Sequence, residues 1–441
     1  MPLLVMTGFI LHVRSNCVKP HRLVFFLSVR AIIMELFRKS EGKVMISNRM
    51  SEKLKAGSLI RKMFEEGNRL KSIYGEDKVF DFSIGNPDVE PPFEVTSGLK
   101  DLINNPTPGM HGYMSNSGYL STRQAVANKL TRSGHTAFSA DSICMTVGAA
   151  GAMNATLRAI LDPDDEVILL APFFMEYRQY IDNHFGKAVI VPTDAGTFLP
   201  NIDRISEAIT PRTKAIIINS PNNPTGAMYP ASTLEAINTL VASYEHVIHI
   251  ISDEPYRELV FDGQEAVSTQ DYIDNLIICY SWSKSLSLPG ERIGYTAVGP
   301  RHPDLDVLVP AITMANRILG SVNAPALFQK VIEKAMDAKV DVALYENRRN
   351  LLYDIVTSSG FTCQKPQGAF YLFVKSPDTD DMVFSQVCAR HNLLVVPGSA
   401  FSMPGYFRLA FCVSESTIKG SSVAFRAVSE HYGLNPAQSK Q

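Results

Sequence analysis

The chain has 441 residues, 45% of them hydrophobic, with 42 Lys and Arg against 44 Asp and Glu and a formal net charge of -2. This length and apolar content support a sizeable core and more than one domain. The near-balanced charge offers no broad polyanion-binding surface, so nucleic acid is not an expected partner. Six cysteines, Cys17, Cys144, Cys279, Cys363, Cys388 and Cys412, are scattered without a C-x-x-C pair. That pattern points away from a metal site and from a disulfide framework, and fits a reducing, cytoplasmic setting.

Residues 1–44 carry apolar segments interrupted by Arg14, Lys19, Arg22 and Arg30. No run reaches membrane-spanning length, and a secretory signal would need one unbroken apolar core, so no membrane association is expected. The stretch reads as an upstream extension or a misplaced start, with a basic targeting presequence as the alternative. A more ordinary amphipathic segment opens at Met45 and Met50 and runs to Gly75.

From about Asp141 to Gly299, helix-period segments alternate with short β-branched runs, which predicts an α/β unit on a mostly parallel sheet. Strands are expected at 165–171, 187–193, 214–220, 247–252, 275–281 and in "IGYTAVG", each nearly continuous in apolar residues as doubly covered strands should be. Past Ser321 one long helical stretch is expected through "APALFQKVIEKAMDAKVDVALYENRRNLLYDIVTS". Shorter pieces follow, "GAFYLFV", "DMVFSQVCARHN", "YFRLAFC" and a final helix, and this change of rhythm suggests a second, α+β domain.

Ligands of open parallel sheets sit beyond the carboxyl ends of the strands, so the polar residues there carry the chemistry. "SPNNPTG" (220–226) leaves one strand as a rigid turn, and by itself could be only a loop. "DEPY" places Asp253 at a strand end, where a carboxylate needs solvent, a cation or a helix start to cap. "YSWSKSLSLPGERIGY" (280–295) sets Lys284 among Ser281 and Ser283, with Arg292 just after; a lone lysine is ordinarily a solvated surface residue. "TVGAAGAMNATLRAIL" (146–161) is a small-residue turn entering a helix, whose free N-H groups suit a phosphate, although it lacks the G-x-G-x-x-G form.

One ligand satisfies all four ends: an aromatic ring bearing a phosphate, a basic ring nitrogen and an aldehyde. The lysine supplies an imine partner, the helix start with the hydroxyls and Arg292 holds the phosphate, and the aspartate keeps the ring nitrogen protonated. That ligand is pyridoxal 5'-phosphate, used for its capacity as an electron sink.

The order and spacing of these motifs resemble the class I and II aminotransferases of the aspartate aminotransferase superfamily, fold-type I pyridoxal-phosphate enzymes, over roughly residues 50 to 432. The resemblance implies a large domain with a mostly parallel, seven-stranded-type sheet covered by helices. It also implies a smaller α+β domain built from the N- and C-terminal segments, with boundaries at 1–44, 45–95, 96–325 and 326–441. By the same resemblance, Lys284 forms the imine, Arg292 and Ser281 bind the phosphate, and Ser283 is a further hydroxyl for it. Asn223 and Tyr256 donate to the cofactor's ring oxygen, and Asp253 pairs with the ring nitrogen. The N-H groups of Ala149 and Ala150 meet the phosphate, and Phe174 of "APFFMEY" stacks on the ring.

For the substrates, Arg408 in "YFRLAFC" corresponds to the arginine that grips the α-carboxylate, and Gly85 in "FSIGNPD" lets the backbone approach it. Tyr113 in "GYMSNSGYLSTR" corresponds to a tyrosine lent across a homodimer interface. The implied reaction moves an amino group from an amino acid to a 2-oxo acid such as 2-oxoglutarate, with aspartate the leading donor and Arg317 a loosely aligned cation for a side-chain carboxylate. Lys284, Asp253 and Tyr256 are the expected catalytic residues. A carbon-sulfur β-lyase of the same fold is the rival reaction, and a DNA-binding regulator with an aminotransferase-like domain is the rival class.

Overall fold

The computed structural model describes residues 46–56 and 59–434. The expectations for residues 1–44 therefore lie outside the described residues. Two units are distinguished, residues 1–58 and 59–441. In the first, a helix spans Asn48–Ala56, and Ser47 starts it by accepting a hydrogen bond at Oγ from the Met50 N-H at 3.2 Å.

The second unit carries twelve strands among its described residues: β1 (Phe80–Asp81), β2 (Ile143–Thr146), β3 (Glu166–Ala171), β4 (Lys187–Pro192), β5 (Thr213–Asn219), β6 (His249–Asp253), β7 (Leu276–Ser281), β8 (Gly294–Val298), β9 (Tyr371–Lys375), β10 (Leu393–Leu394), β11 (Val396–Pro397) and β12 (Tyr406–Ala410). Seven form one sheet in the order β2-β8-β7-β6-β5-β3-β4. β4, β3, β5, β6 and β7 run parallel to one another, while β8 is antiparallel to both of its neighbours. The expected α/β class with a mostly parallel seven-stranded sheet is what the chain folds into. Every residue of β3, β6, β7 and β8 is buried, whereas edge strand β4 is partly exposed, as coverage by helices on both faces dictates.

The short strands β1, β2, β10 and β11 and one long helix differ from the sequence expectation. β2 was not anticipated: "ICMT" is only four residues and runs straight into the small-residue turn, which leaves too short a pattern to read. The single long helix past Ser321 is two, Ala326–Lys334 and Val342–Ser358. The break is built in. Asp341 caps the second helix through the Ala343 N-H, while the Val340 N-H is drawn out of any helix by the Ser285 carbonyl at 2.8 Å.

The smaller α+β part contains the antiparallel sheet β11-β12-β9 and the parallel pair β1-β10. Phe82 N-H donates to the Leu394 carbonyl at 3.0 Å, and Ala410 N-H donates to the Phe82 carbonyl at 2.9 Å. These bonds hold the 82–85 stretch beside β12. Phe82, Leu352, Phe384, Phe407 and Phe425 belong to one buried cluster, so segments from both ends of the unit share a core. No helix among the described residues is long and apolar enough to cross a membrane.

Candidate active site

In register, Asn219 ends β5 beside Asp253 at the end of β6, and Asp253 lies beside Cys279 of β7, two residues before Ser281. Apolar strands thus terminate together in a row of polar groups, where backbone pairing stops and side chains must find other partners. A cavity of about 290 Å³ opens there. Its lining includes Gly85, Ala149, Ala150, Phe174, Asn223, Asp253, Tyr256, Ser281, Ser283, Lys284, Arg292 and Arg408. Tyr113 and Arg317 are not in it: Tyr113 is 95% exposed and Arg317 is also on the surface of its own chain.

One end of the cavity is suited to an anion. The helix Gly148–Ile160 starts without a side-chain cap, which leaves N-H groups of its first turn free. Gly148 takes a left-handed φ of 68°, and a Cβ there would stand 3.1 Å from Arg292 Nη2, so glycine lets the guanidinium close on the helix start. Arg292 itself has φ of 53°, at the turn where its Nη1 donates to the Pro289 carbonyl at 2.9 Å. Ser281 and Ser283 lie with their hydroxyl oxygens 2.6 Å apart, and the Ser283 N-H donates to Ser281 Oγ at 3.2 Å.

Asp253 is 8% exposed and accepts a hydrogen bond at Oδ2 from the Tyr177 hydroxyl at 2.5 Å. Its other oxygen, Oδ1, is buried without a partner. Burial pushes this carboxyl up to about 7; the Tyr177 hydrogen bond works against that shift and the neighbouring Glu254 adds to it. The Lys284 amine donates to the Gly85 carbonyl at 2.9 Å, and its pKa is brought down to about 8, chiefly by burial, with the Arg408 and Arg292 charges acting in the same direction. An orphaned acceptor and an amine that is readily neutral therefore share one cavity.

Arg408, 3% exposed, donates from Nη2 to the Ser83 carbonyl at 2.7 Å and from Nη1 to Asn223 Oδ1 at 3.1 Å. Its guanidinium carbon lies 4.4 Å from the Tyr371 ring centroid and 4.8 Å from that of Phe401. Both of these acceptors are neutral, an amide oxygen and a backbone carbonyl, and its Nε is buried without a partner. A buried fork with no carboxylate is poised for one from a ligand. Tyr256 Oη is 3.0 Å from Tyr371 Oη, and the Asn223 N-H donates to Asn219 Oδ1 at 2.7 Å. Phe174 packs edge-on to Tyr177 with centroids 5.6 Å apart.

Sequence reasoning missed Tyr177, Tyr180, Asn219 and Tyr371, all of which line the cavity. Tyr177 stood inside the quoted "APFFMEY" and Tyr371 inside "GAFYLFV", but neither fragment says which aromatic faces the site. The cations of the lining are Lys284, Arg292 and Arg408, and its one carboxylate is Asp253.

Fold and cavity define a class, an α/β protein with a buried amine in a cavity at the carboxyl edge of a mostly parallel sheet. Comparison with known proteins narrows it. The model of the class I and II aminotransferases matches residues 77–420. The aspartate/prephenate aminotransferase of Thermus thermophilus is 33% identical over 356 residues, covering 78% of this chain and 89% of that protein. The probable N-acetyl-LL-diaminopimelate aminotransferase of Bacillus subtilis is 32% identical, covering 78% and 87%. Among solved structures, an amino transferase from Eubacterium rectale superposes with a TM-score of 0.86 at 39% identity, over 88% of this chain and all of that one. The aspartate aminotransferase from Thermus thermophilus with maleate gives 0.78 at 27% identity, over 87% and 99%. The chain belongs to the class I and II aminotransferases.

Proposed function

We propose that the cavity takes pyridoxal 5'-phosphate and that the enzyme moves an amino group from aspartate to a 2-oxo acid such as 2-oxoglutarate. The carrying observation is the pair described above: Lys284, its amine brought down to about 8, beside an Asp253 oxygen that is buried and unpartnered. When bound, the cofactor supplies an electron sink for the bonds of the donor's α-carbon. Asp253 would pair with the ring nitrogen and favour its protonated form, a cation that would bring the carboxyl back to its charged state. Asn223 and Tyr256 donate to the ring oxygen, and Phe174 covers a ring face. The phosphate is held by the N-H groups of Ala149 and Ala150, by Ser281 and Ser283, and by Arg292.

Lys284 would supply the amine that holds the cofactor through its carbonyl and, when free and neutral, the base for the proton on the donor's α-carbon. Arg408 clasps the donor's α-carboxylate, which approaches past Gly85. Aspartate as donor rests on the names of the relatives, several of which are aspartate aminotransferases. Arg317 has no part in its own chain's cavity. A homodimer, with Tyr113 of each subunit completing the other's phosphate site, would give that exposed tyrosine a use. Five free cysteines among the described residues fit a cytoplasmic enzyme. The relatives' names do not favour a carbon-sulfur β-lyase.

Borohydride reduction followed by peptide mapping should label Lys284. The Lys284→Ala protein should lose the label and turn over aspartate about 10⁴-fold more slowly, the upper range for loss of a general base. Undiminished turnover by that variant would refute the assignment.

A further inference from the structure

Tyr371 has no role in the reading above, yet it occupies the middle of the site. It is the first residue of β9 and pairs with Ala410 of β12, two residues from Arg408. The side chain is 3% exposed and held on several sides. The Arg408 guanidinium lies over its ring, Tyr256 meets it at 80° with centroids 5.8 Å apart, and Phe370 packs at 4.9 Å. A ring so enclosed has little room to swing its hydroxyl away.

That hydroxyl touches two residues already assigned. Its oxygen is 3.0 Å from Tyr256 Oη, with either phenol able to donate, and neither hydroxyl has another hydrogen-bond partner among the described residues. On its other side is Gly85. A Cβ on Gly85 would overlap Tyr371 Oη and stand 2.8 Å from ring carbons Cε1 and Cζ. Glycine is thus required there whether or not a carboxylate passes, because the phenol already fills the space a methyl would take.

We infer that Tyr371 is a positioning residue that acts through Tyr256: its hydroxyl, given room by Gly85, supplies the hydrogen bond that Tyr256 needs in order to donate outward. The inference rests on the proposed cofactor reading. Tyr256 has one proton. With the cavity filled by an anionic ring oxygen, Tyr256 turns that proton toward the anion, and its own oxygen becomes an acceptor in a buried place. Tyr371 then holds the proton that satisfies it. A hydroxyl that accepts a hydrogen bond is the stronger donor, an enhancement of roughly 10–30% per bond in such chains. Burial already drives the Tyr371 phenol up to about 12, so it keeps its proton through the physiological range.

The test is a double-mutant cycle of Tyr371→Phe and Tyr256→Phe in the full-length protein. Its readout is the dissociation constant of 4'-deoxypyridoxine 5'-phosphate, a cofactor analogue that keeps ring oxygen and phosphate and cannot bond covalently to Lys284. Tyr371→Phe should weaken binding about five-fold, the scale of one net hydrogen bond. In the Tyr256→Phe background the same change should cost nothing further, because the residue through which it acts is gone. In the cofactor-loaded enzyme, Tyr371→Phe should raise the pH midpoint of the Lys284-linked absorbance change. It should also lower kcat while KM for aspartate stays within about two-fold, since the phenylalanine ring still lies under Arg408.

Additive losses across the cycle would overturn the inference, as would a rise in KM with kcat and the pH midpoint unmoved. Wild-type protein that fails to bind the analogue would sink the cofactor reading itself. Wild-type binding with an additive cycle would sink only the role of Tyr371.

Discussion

At the ends of β5, β6 and β7 the residues facing the cavity come from short runs of chain that bring their own geometry, whereas Arg408, Tyr371 and Gly85 meet only through long-range pairing. Arg292 reaches the start of the helix Gly148–Ile160 by a local turn after Lys284, and Ser281 bonds Ser283 two residues on. The Arg408 bond to the Ser83 carbonyl joins groups 325 residues apart in sequence. The first region is partly exposed at Arg292 and holds open donors for a ligand. The second is buried and already satisfies most of its polar groups internally. The contrast indicates that changes in the buried region should propagate through packing, and changes at the strand ends through charge.

Among changes that separate the two regions, replacing Arg408 should give the largest effect, because the buried region would lose its guanidinium together with the donors to Asn223 and Ser83. Arg408→Leu should reduce kcat/KM for aspartate by about 10²- to 10³-fold, mostly through KM, as expected for about 3 kcal/mol of charge-assisted hydrogen bonding. Arg408→Lys should recover only part of that, since a point charge lacks the fork. An unchanged KM in the leucine variant would break the distinction.

Asp253→Asn sharpens it from the charged side, in cofactor-free protein. The folded-state pKa, about 7, lies above the ordinary carboxylate value of 3.8, so the folded protein binds more protons than the unfolded chain between these limits. The contribution of this group is fully present below pH 4 and is lost as pH rises through about 7. Relative to wild type, the asparagine variant should therefore gain about 4 kcal/mol in unfolding free energy between pH 4 and pH 8, read from denaturant midpoints. Equal pH slopes would show that the carboxylate does not pay a desolvation cost there.

Gly85→Ala should have the smallest effect, about 1–3 kcal/mol of stability from forcing the Tyr371 hydroxyl aside. The same variant should shift the pH midpoint in the direction of Tyr371→Phe. A stability loss without that shift would mean that the glycine serves packing alone.

The site was legible where function and local structure coincide. Lys284, Asp253 and Asn223 stand at strand ends whose apolar runs announce both the strand and its exit, and the small residues of 148–151 mark a helix start open to an anion. β3 to β8 lie within one or two residues of their expected bounds for the same reason. Tyr177 and Tyr371 were illegible, because an aromatic in an apolar run looks identical whether it faces core or cavity. Arg317 shows the converse: a loosely aligned motif position lies on the surface, outside the cavity of its own chain.

By itself, the sequence determined six of the seven strands of the large sheet and which polar residues stand at its carboxyl edge, because apolar periodicity and turn chemistry act over a few residues at a time. Only the tertiary structure decided that Asp253 keeps one oxygen unpartnered, that Lys284 is held near pKa 8, and that Tyr371 joins Tyr256, Gly85 and Arg408. Those properties come from desolvation and from contacts between distant segments, and neither exists until the chain has closed around the cavity.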